Sequence, residues 1–270
     1  MKCYLINLDR SPDRRRSFLE AASRMNLDVQ RIAAVDGVTI GEDERDQLKA
    51  RSSGTYPIGY GEMGCYLSHR KAWSEIARAG NDWAFVAEDD IRFSPSAELF
   101  FESAKWCPAD ADIIKAETHN QKTEVSYNPV AEAFGHGIRL LLSNHRGSAG
   151  YFVSGSAAQR LLKLTDDICD PLDEVLFNPE LGVAAKLRIY QLDPAICIQD
   201  FLLAKAAGGQ GFESTIEDDR SRLVEVRKRR KPRGLAKVKR ELLRIVRKMR
   251  LLGQTATGRL RFKVIPFLQN

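Results

Sequence analysis

Apolar positions along this chain switch between short strand-like runs and spacings near 3.6 residues, so strands and helices are expected to alternate. Residues 2–8 are apolar and β-rich, a first strand. Ser11-Pro12-Asp13 then supplies an N-cap, a first-turn proline and an early acid. Phe18, Ala21, Ala22 and Met25 follow at i, i+3, i+4 and i+7, one face of a helix packed on a sheet. Residues 29–35 return as a strand that ends at the Asp36-Gly37 turn, 41–51 suit a polar helix, and 52–61 form a Ser/Gly/Pro/Tyr loop. Helices are expected at 62–79, 96–105 and 156–164, and strands at 83–87, 112–116, 138–142 and 150–153. No internal repeat or low-complexity tract breaks this body. The pattern is that of an α/β fold with a mixed, mostly parallel sheet flanked by helices.

One of these strands ends abruptly in charge: Trp83-Ala84-Phe85-Val86-Ala87 runs into Glu88-Asp89-Asp90. Three acids at the end of a buried strand repel one another and lose hydration, which a bound cation relieves. Open α/β sheets bind ligands at the carboxyl ends of their strands, where these side chains emerge. Mg²⁺ or Mn²⁺ takes such oxygen ligands and shares them with phosphates. If strand geometry persisted, Glu88 and Asp90 would share a face and Asp89 the opposite one, an E-x-D metal pair. The plainer alternative is an acidic turn that solubilises a strand end, but the run continues into Ile91, Phe93 and Ser94-Pro95, unlike a solvated loop.

Composition divides the chain. Its 270 residues allow one large domain, or one with an appendage, and 43% hydrophobic content is ample for a core. Residues 220–250 carry 15 Lys and Arg against two Glu, a local excess of +13, so the rest of the chain stands at −7 within the overall +6. The expected division is a domain over 1–218 and a basic helical extension over 219–270. Within the extension, 234–250 present a narrow stripe of Leu235, Val238, Leu242, Ile245, Val246 and Met249 among basic residues. A basic amphipathic helix suits an anionic membrane surface, each cation adding about 1 kcal/mol, which assigns that role to residues 227–250. Nucleic-acid binding is disfavoured because the segment has no aromatic residue to stack on bases. Docking of the stripe on the acidic body is a further alternative. Phe262, Val264, Ile265, Phe267 and Leu268 are expected to pack on the body or enter a bilayer interface.

No apolar run approaches the roughly 20 residues that cross a bilayer, and the N-terminal run is too short for a signal peptide. Five widely spaced cysteines without a C-x-x-C pair fit reduced cytoplasmic thiols rather than a disulfide framework or a zinc site. The expected location is cytoplasmic, peripheral at the inner membrane face.

Arg10, Arg14, Arg15 and Arg16 crowd a helix N-terminus, where the dipole disfavours cations. Arg10, at the strand end, is expected to meet an anionic ligand, and Arg15 and Arg16 to face solvent. Gly61 and Gly64 open the next helix and permit close backbone approach. His69, two turns in, reads on its own as a packed core histidine.

Taken in order, these pieces resemble glycosyltransferase family 25, the lipooligosaccharide and collagen galactosyltransferase-like family. The resemblance is carried by Ile6-Asn7-Leu8-Asp9-Arg10-Ser11-Pro12-Asp13-Arg14-Arg15, Ala34-Val35-Asp36-Gly37, Gly61-Glu62-Met63-Gly64-Cys65-Tyr66-Leu67-Ser68-His69 and Glu88-Asp89-Asp90-Ile91. Ser148–Ser154, Pro171-Leu172-Asp173 and Pro194–Gln199 continue it, over roughly residues 2–200, and the extension lies outside it. The resemblance implies a GT-A-like fold and inverting transfer of a hexose, usually galactose from UDP-galactose, to a lipooligosaccharide or other surface glycan. It implies that Asn7, Leu8, Arg10 and Asp36 hold uridine and ribose, that Ser68 and His69 lie near the donor, and that Glu88, Asp89 and Asp90 bind Mn²⁺ or Mg²⁺. Inverting transfer needs a carboxylate base. Asp173 is the candidate, with Glu174 and Asp170 behind it, and a helix-capping role is its alternative. The competing classes are a non-catalytic nucleotide-sugar-binding relative and a polyanion-binding protein acting through its tail.

Overall fold

The first strand, β1 (Lys2–Asn7), is buried at five of its six positions, which is why its sequence is a continuous apolar run rather than an alternating one. The computed structural model describes residues 1–53, 58–179, 182–206, 208 and 260–269. After β1 come α1 (Pro12–Arg24), β2 (Asp28–Ala33), α2 (Glu42–Ala50), α3 (Tyr60–Ala79), β3 (Trp83–Glu88) and β4 (Ile91–Phe93). Next are α4 (Ala97–Phe101), β5 (Ile113–Lys115), β6 (Glu117–Thr118), β7 (Lys122–Ser126), β8 (Ala131–Ala133) and β9 (His136–Leu140). The body ends with β10 (Gly150–Ser154), α5 (Gly155–Leu164), α6 (Leu172–Phe177), β11 (Ile189–Asp193), β12 (Cys197–Gln199) and α7 (Asp200–Ala206); β13 (Leu260–Val264) lies near the C-terminus.

Eight strands form the main sheet in the order β2-β1-β3-β10-β5-β11-β9-β8. β10 and β9 run against their neighbours and the other six point one way, so the sheet is mixed and mostly parallel, as the alternation predicts. Successive β1 residues serve opposite faces. Tyr4 and Ile6 join Met63, Trp73 and Ile76 of α3, whereas Cys3 and Leu5 join Phe18 of α1 and Phe100 and Phe101 of α4.

The boundaries shift where local pattern is weakest. The helix expected over 96–105 stops at Phe101, and the strand expected over 112–116 divides into β5 and β6. β4, β12 and β6 form a separate small sheet.

The expected amphipathic helix and the boundary at 218 lie outside the described residues. The C-terminal segment beyond them returns to the body: β13 pairs antiparallel with β7, and Ile265 is fully buried against Val125 and Ala195. Thr118 Oγ1 donates to the Ile265 carbonyl at 2.7 Å, and Ala195 N–H to that of Pro266 at 2.9 Å. Of the two fates expected for this apolar end, Ile265 packs on the body, while Phe262 and Leu268 stay about half exposed. Among the described residues, no helix is long and apolar enough to cross a membrane.

Candidate active site

β1 and β3 are adjacent and parallel, so their carboxyl ends open on the same edge of the sheet. Leu8 and Arg10 follow β1, Val35 to Val38 follow β2, and Glu88 and Asp89 close β3. Gly61, Cys65, Ser68 and His69 of α3 face them across one cleft. The cleft therefore gathers Leu8, Arg10, Asp36, Ser68, His69, Glu88 and Asp89 from the sequence-expected set.

β3 ends at Glu88 and the chain turns through Asp89 and Asp90 before β4. The strand alternation stops there, and the turn brings Asp89 into the cleft beside Glu88 instead of onto the opposite face. Asp89 is held by Asn7 Nδ2 at 2.6 Å and by Arg14 Nη1 at 3.4 Å. Asn7 itself is 2% exposed and lies outside the cleft lining; it also donates to Ser11 O and accepts from Arg31 Nε. Its place is that of a strut behind Asp89, because the last β1 side chain points inward.

Burial and Asp89 push the Glu88 carboxyl up to about 7, and burial and Glu88 push Asp90 up to about 8. Burial raises Asp89 as well, against the lowering pull of Asn7 and Arg14. Asp90 Oδ2 accepts from Gln199 at 3.3 Å, but its buried Oδ1 has no hydrogen-bond partner among the described residues. An orphaned oxygen beside mutually repelling carboxylates fits a hard divalent cation with oxygen ligands.

His69 is both the packed histidine and the site residue. It is fully buried, and burial drives its pKa down to about 3, so the ring is neutral. Trp73 Nε1 donates to the Tyr151 hydroxyl at 2.8 Å, the hydroxyl lies 2.8 Å from His69 Nδ1, and His69 Nε2 lies 3.3 Å from Glu88 Oε1. An indole only donates, so the tyrosine proton is left available for Nδ1, which matches the tautomer with the ring proton on Nε2, facing Glu88.

Ser68 spends its hydroxyl within the protein, donating to Gly64 O at 2.6 Å and accepting from Val35 N–H at 2.8 Å. A Cβ on Gly64 would stand 2.5 Å from Val35 O, so the close approach this glycine permits is to the loop after β2. Arg10 pairs with Asp36, and Arg16 pairs with Asp13 at the surface. Arg14 was not singled out from its sequence neighbours; its signal was a cation in the first turn of α1, and the anion it meets is Asp89.

Asp173 lies in the first turn of α6, 6% exposed, where Oδ1 accepts from Glu174 N–H at 3.0 Å and Oδ2 from Gly147 N–H at 3.3 Å. Its charge is a lesser contributor to the raised Glu88 pKa, and Asp173 itself does not line the cleft that holds Glu88. Glu174 Oε2 accepts from Asn144 and Asn178, at 2.8 and 2.7 Å, and Asp170 from Ser52 at 2.8 Å. Sequence reasoning missed a fully buried pair, Lys115 Nζ to Glu117 Oε1 at 2.8 Å, which also binds Gly147 O and Ala149 N–H. Lone charges in apolar strands were the available signal.

Residues 1–176 match the family described as Glycosyltransferase family 25 (LPS biosynthesis protein). The lipooligosaccharide biosynthesis protein lex-1 of Haemophilus influenzae is 28% identical over 195 residues, 68% of this chain and 64% of the relative. The lacto-N-neotetraose biosynthesis glycosyltransferase LgtB of Neisseria meningitidis serogroup B is 26% identical over 99% of this chain and 100% of the relative. Among solved structures, a glycosyltransferase involved in glycosylation of the major capsid of PBCV-1 matches 74% of this chain and 92% of its own, at a TM-score of 0.39 and 7% identity.

Proposed function

The chain belongs to glycosyltransferase family 25, and on that premise we propose that it transfers a hexose, galactose from UDP-galactose, with inversion onto a lipooligosaccharide or other surface glycan. The observation that carries this reading is the cleft at the ends of β1 and β3, lined by Glu88 and Asp89 with Arg10 and Arg14 alongside, next in the chain to the buried Asp90. The roles named for lex-1 and LgtB, lipooligosaccharide and lacto-N-neotetraose biosynthesis, support a glycan acceptor.

In this reading Leu8, Arg10 and Asp36 receive the nucleoside, and Arg14 orients Asp89 and opposes the upward push of burial on its pKa. Glu88, Asp89 and Asp90 would hold Mn²⁺ or Mg²⁺; when bound, the cation supplies charge neutralisation for the departing nucleotide. His69 contributes a neutral N–H to Glu88 and fixes its carboxylate. Asp173 takes the proton of the acceptor hydroxyl, while Glu174, tied to two asparagines, supports the Asn144 loop. The basic segment 227–250 brings the enzyme to an anionic membrane surface on the cytoplasmic side.

Calorimetric titration with UDP-galactose, UDP-glucose and UDP, in Mn²⁺ and then in EDTA, tests the donor reading. Metal-dependent preference for UDP-galactose is expected. Binding that is indifferent to EDTA removes the cation, and no binding under either condition removes the donor.

A further inference from the structure

Three side chains of different chemistry converge in the cleft. Cys65 and His69 stand at i and i+4 on α3, one helix face, and that face meets the end of β3 where Glu88 emerges. One ligand atom from each lies within 4.8 Å of the others. Glu88 Oε1 is 3.3 Å from His69 Nε2 and 3.8 Å from Cys65 Sγ. Tetrahedral zinc, with bonds of about 2.0–2.3 Å, spaces its ligands roughly 3.3–3.8 Å apart, so these two edges need almost no movement.

We propose that Cys65, His69 and Glu88 form a binding site for zinc. A thiolate–imidazole–carboxylate set selects zinc over the hard, oxygen-seeking cations suited to the three consecutive acids. An imidazole ligates zinc through one ring nitrogen, and Nε2 of His69 is the one that faces Glu88. The Tyr151 oxygen, 2.8 Å from Nδ1 and anchored by Trp73, stands ready to accept the ring proton when Nε2 turns to the ion. As the zinc bonds form, the thiol proton and any proton on Glu88 leave to solvent, and the ring proton passes from Nε2 to Nδ1 while the Tyr151 hydroxyl turns from donor to acceptor. All three residues line the cleft, whose open side leaves room for a fourth ligand from solvent. Sequence spacing hides the site, because Glu88 lies 19 residues beyond His69 and only the fold brings them together. Occupied, it would withdraw Glu88 from the cation proposed for the donor. That consequence rests on the donor reading above, whereas zinc binding itself does not.

The full-length protein is titrated with Zn²⁺ against a chromophoric chelator and, separately, with Co²⁺ as a spectroscopic stand-in, without nucleotide. One metal per chain and a thiolate-to-cobalt charge-transfer band are expected. Cys65→Ser should abolish the band and weaken zinc beyond the roughly 10- to 100-fold that loss of even an outer-shell partner costs. Cys107→Ser, at a half-buried thiol elsewhere, should keep both. Glu88→Gln, of nearly equal size, should weaken zinc and retain the band at saturating cobalt. A band that survives Cys65→Ser, or zinc affinity unchanged by either Cys65→Ser or Glu88→Gln, overturns the site.

Discussion

At the scale of single residues, the site is governed by carboxylates held against their preference. Glu88 and Asp90 keep their protons to higher pH in the folded chain than in the unfolded one, because burial and mutual repulsion penalise the charged forms. Their contribution to stability is complete below the ordinary carboxylate range and is lost as pH rises through about 7 to 8. A bound cation cancels that loss. The rise in melting temperature produced by Mn²⁺ is therefore expected to be larger at about pH 8.5 than at about pH 6; an equal or smaller rise at the higher pH contradicts the metal role. Asp173→Asn is expected to lower turnover by about 100- to 10,000-fold while leaving UDP affinity unchanged, as checked by steady-state kinetics beside calorimetry. Retained turnover passes the base role to another acid. The acidic triplet was legible in sequence as chemistry, but the roles of its members were not. Asp89 enters the cleft because the chain turns there, and Asn7, read as a ligand contact, is consumed in holding Asp89.

At the scale of elements, α3 does most to shape the site. Its N-terminal half carries Gly64, Cys65, Ser68 and His69 on the side facing the loop after β2 and the end of β3. Gly64 lets that loop lie against the helix, and Ser68 ties down Val35. Gly64→Ala places a methyl group against the Val35 carbonyl and is expected to cost about 1–3 kcal/mol by overpacking. Urea denaturation measures it, and a neutral result means the loop moves freely. Helix and strand periods located α1, α3, β3, β10 and α5 within a few residues, since each has a strong apolar face or a fully buried run. β6, β8 and β12, of only two or three residues, carry too little pattern to be read.

At the scale of the molecule, the eight-stranded sheet separates two hydrophobic layers, and the C-terminal segment closes one flank. Ile265 fills a pocket with Val125 and Ala195, and Lys263 reaches Asp193 at 2.7 Å. Ile265→Ala is expected to destabilise the body by about 2–5 kcal/mol, measured by thermal or urea unfolding of the full chain. A change near zero removes this segment from the folded unit. Alternating apolar periods, glycine placement and ordered motifs were local properties of the chain, so the sequence by itself determined the α/β class, six of the eight strands of the main sheet and the acidic edge where chemistry gathers. Tertiary structure alone decided what depends on residues far apart in the chain. It set the strand order, the return of Ile265 to strands formed more than 60 residues earlier, the buried Lys115–Glu117 pair and the meeting of Cys65 and His69 with Glu88. Such contacts arise from packing and burial across the sheet, and periodicity within one segment carries no record of which other segment will cover it.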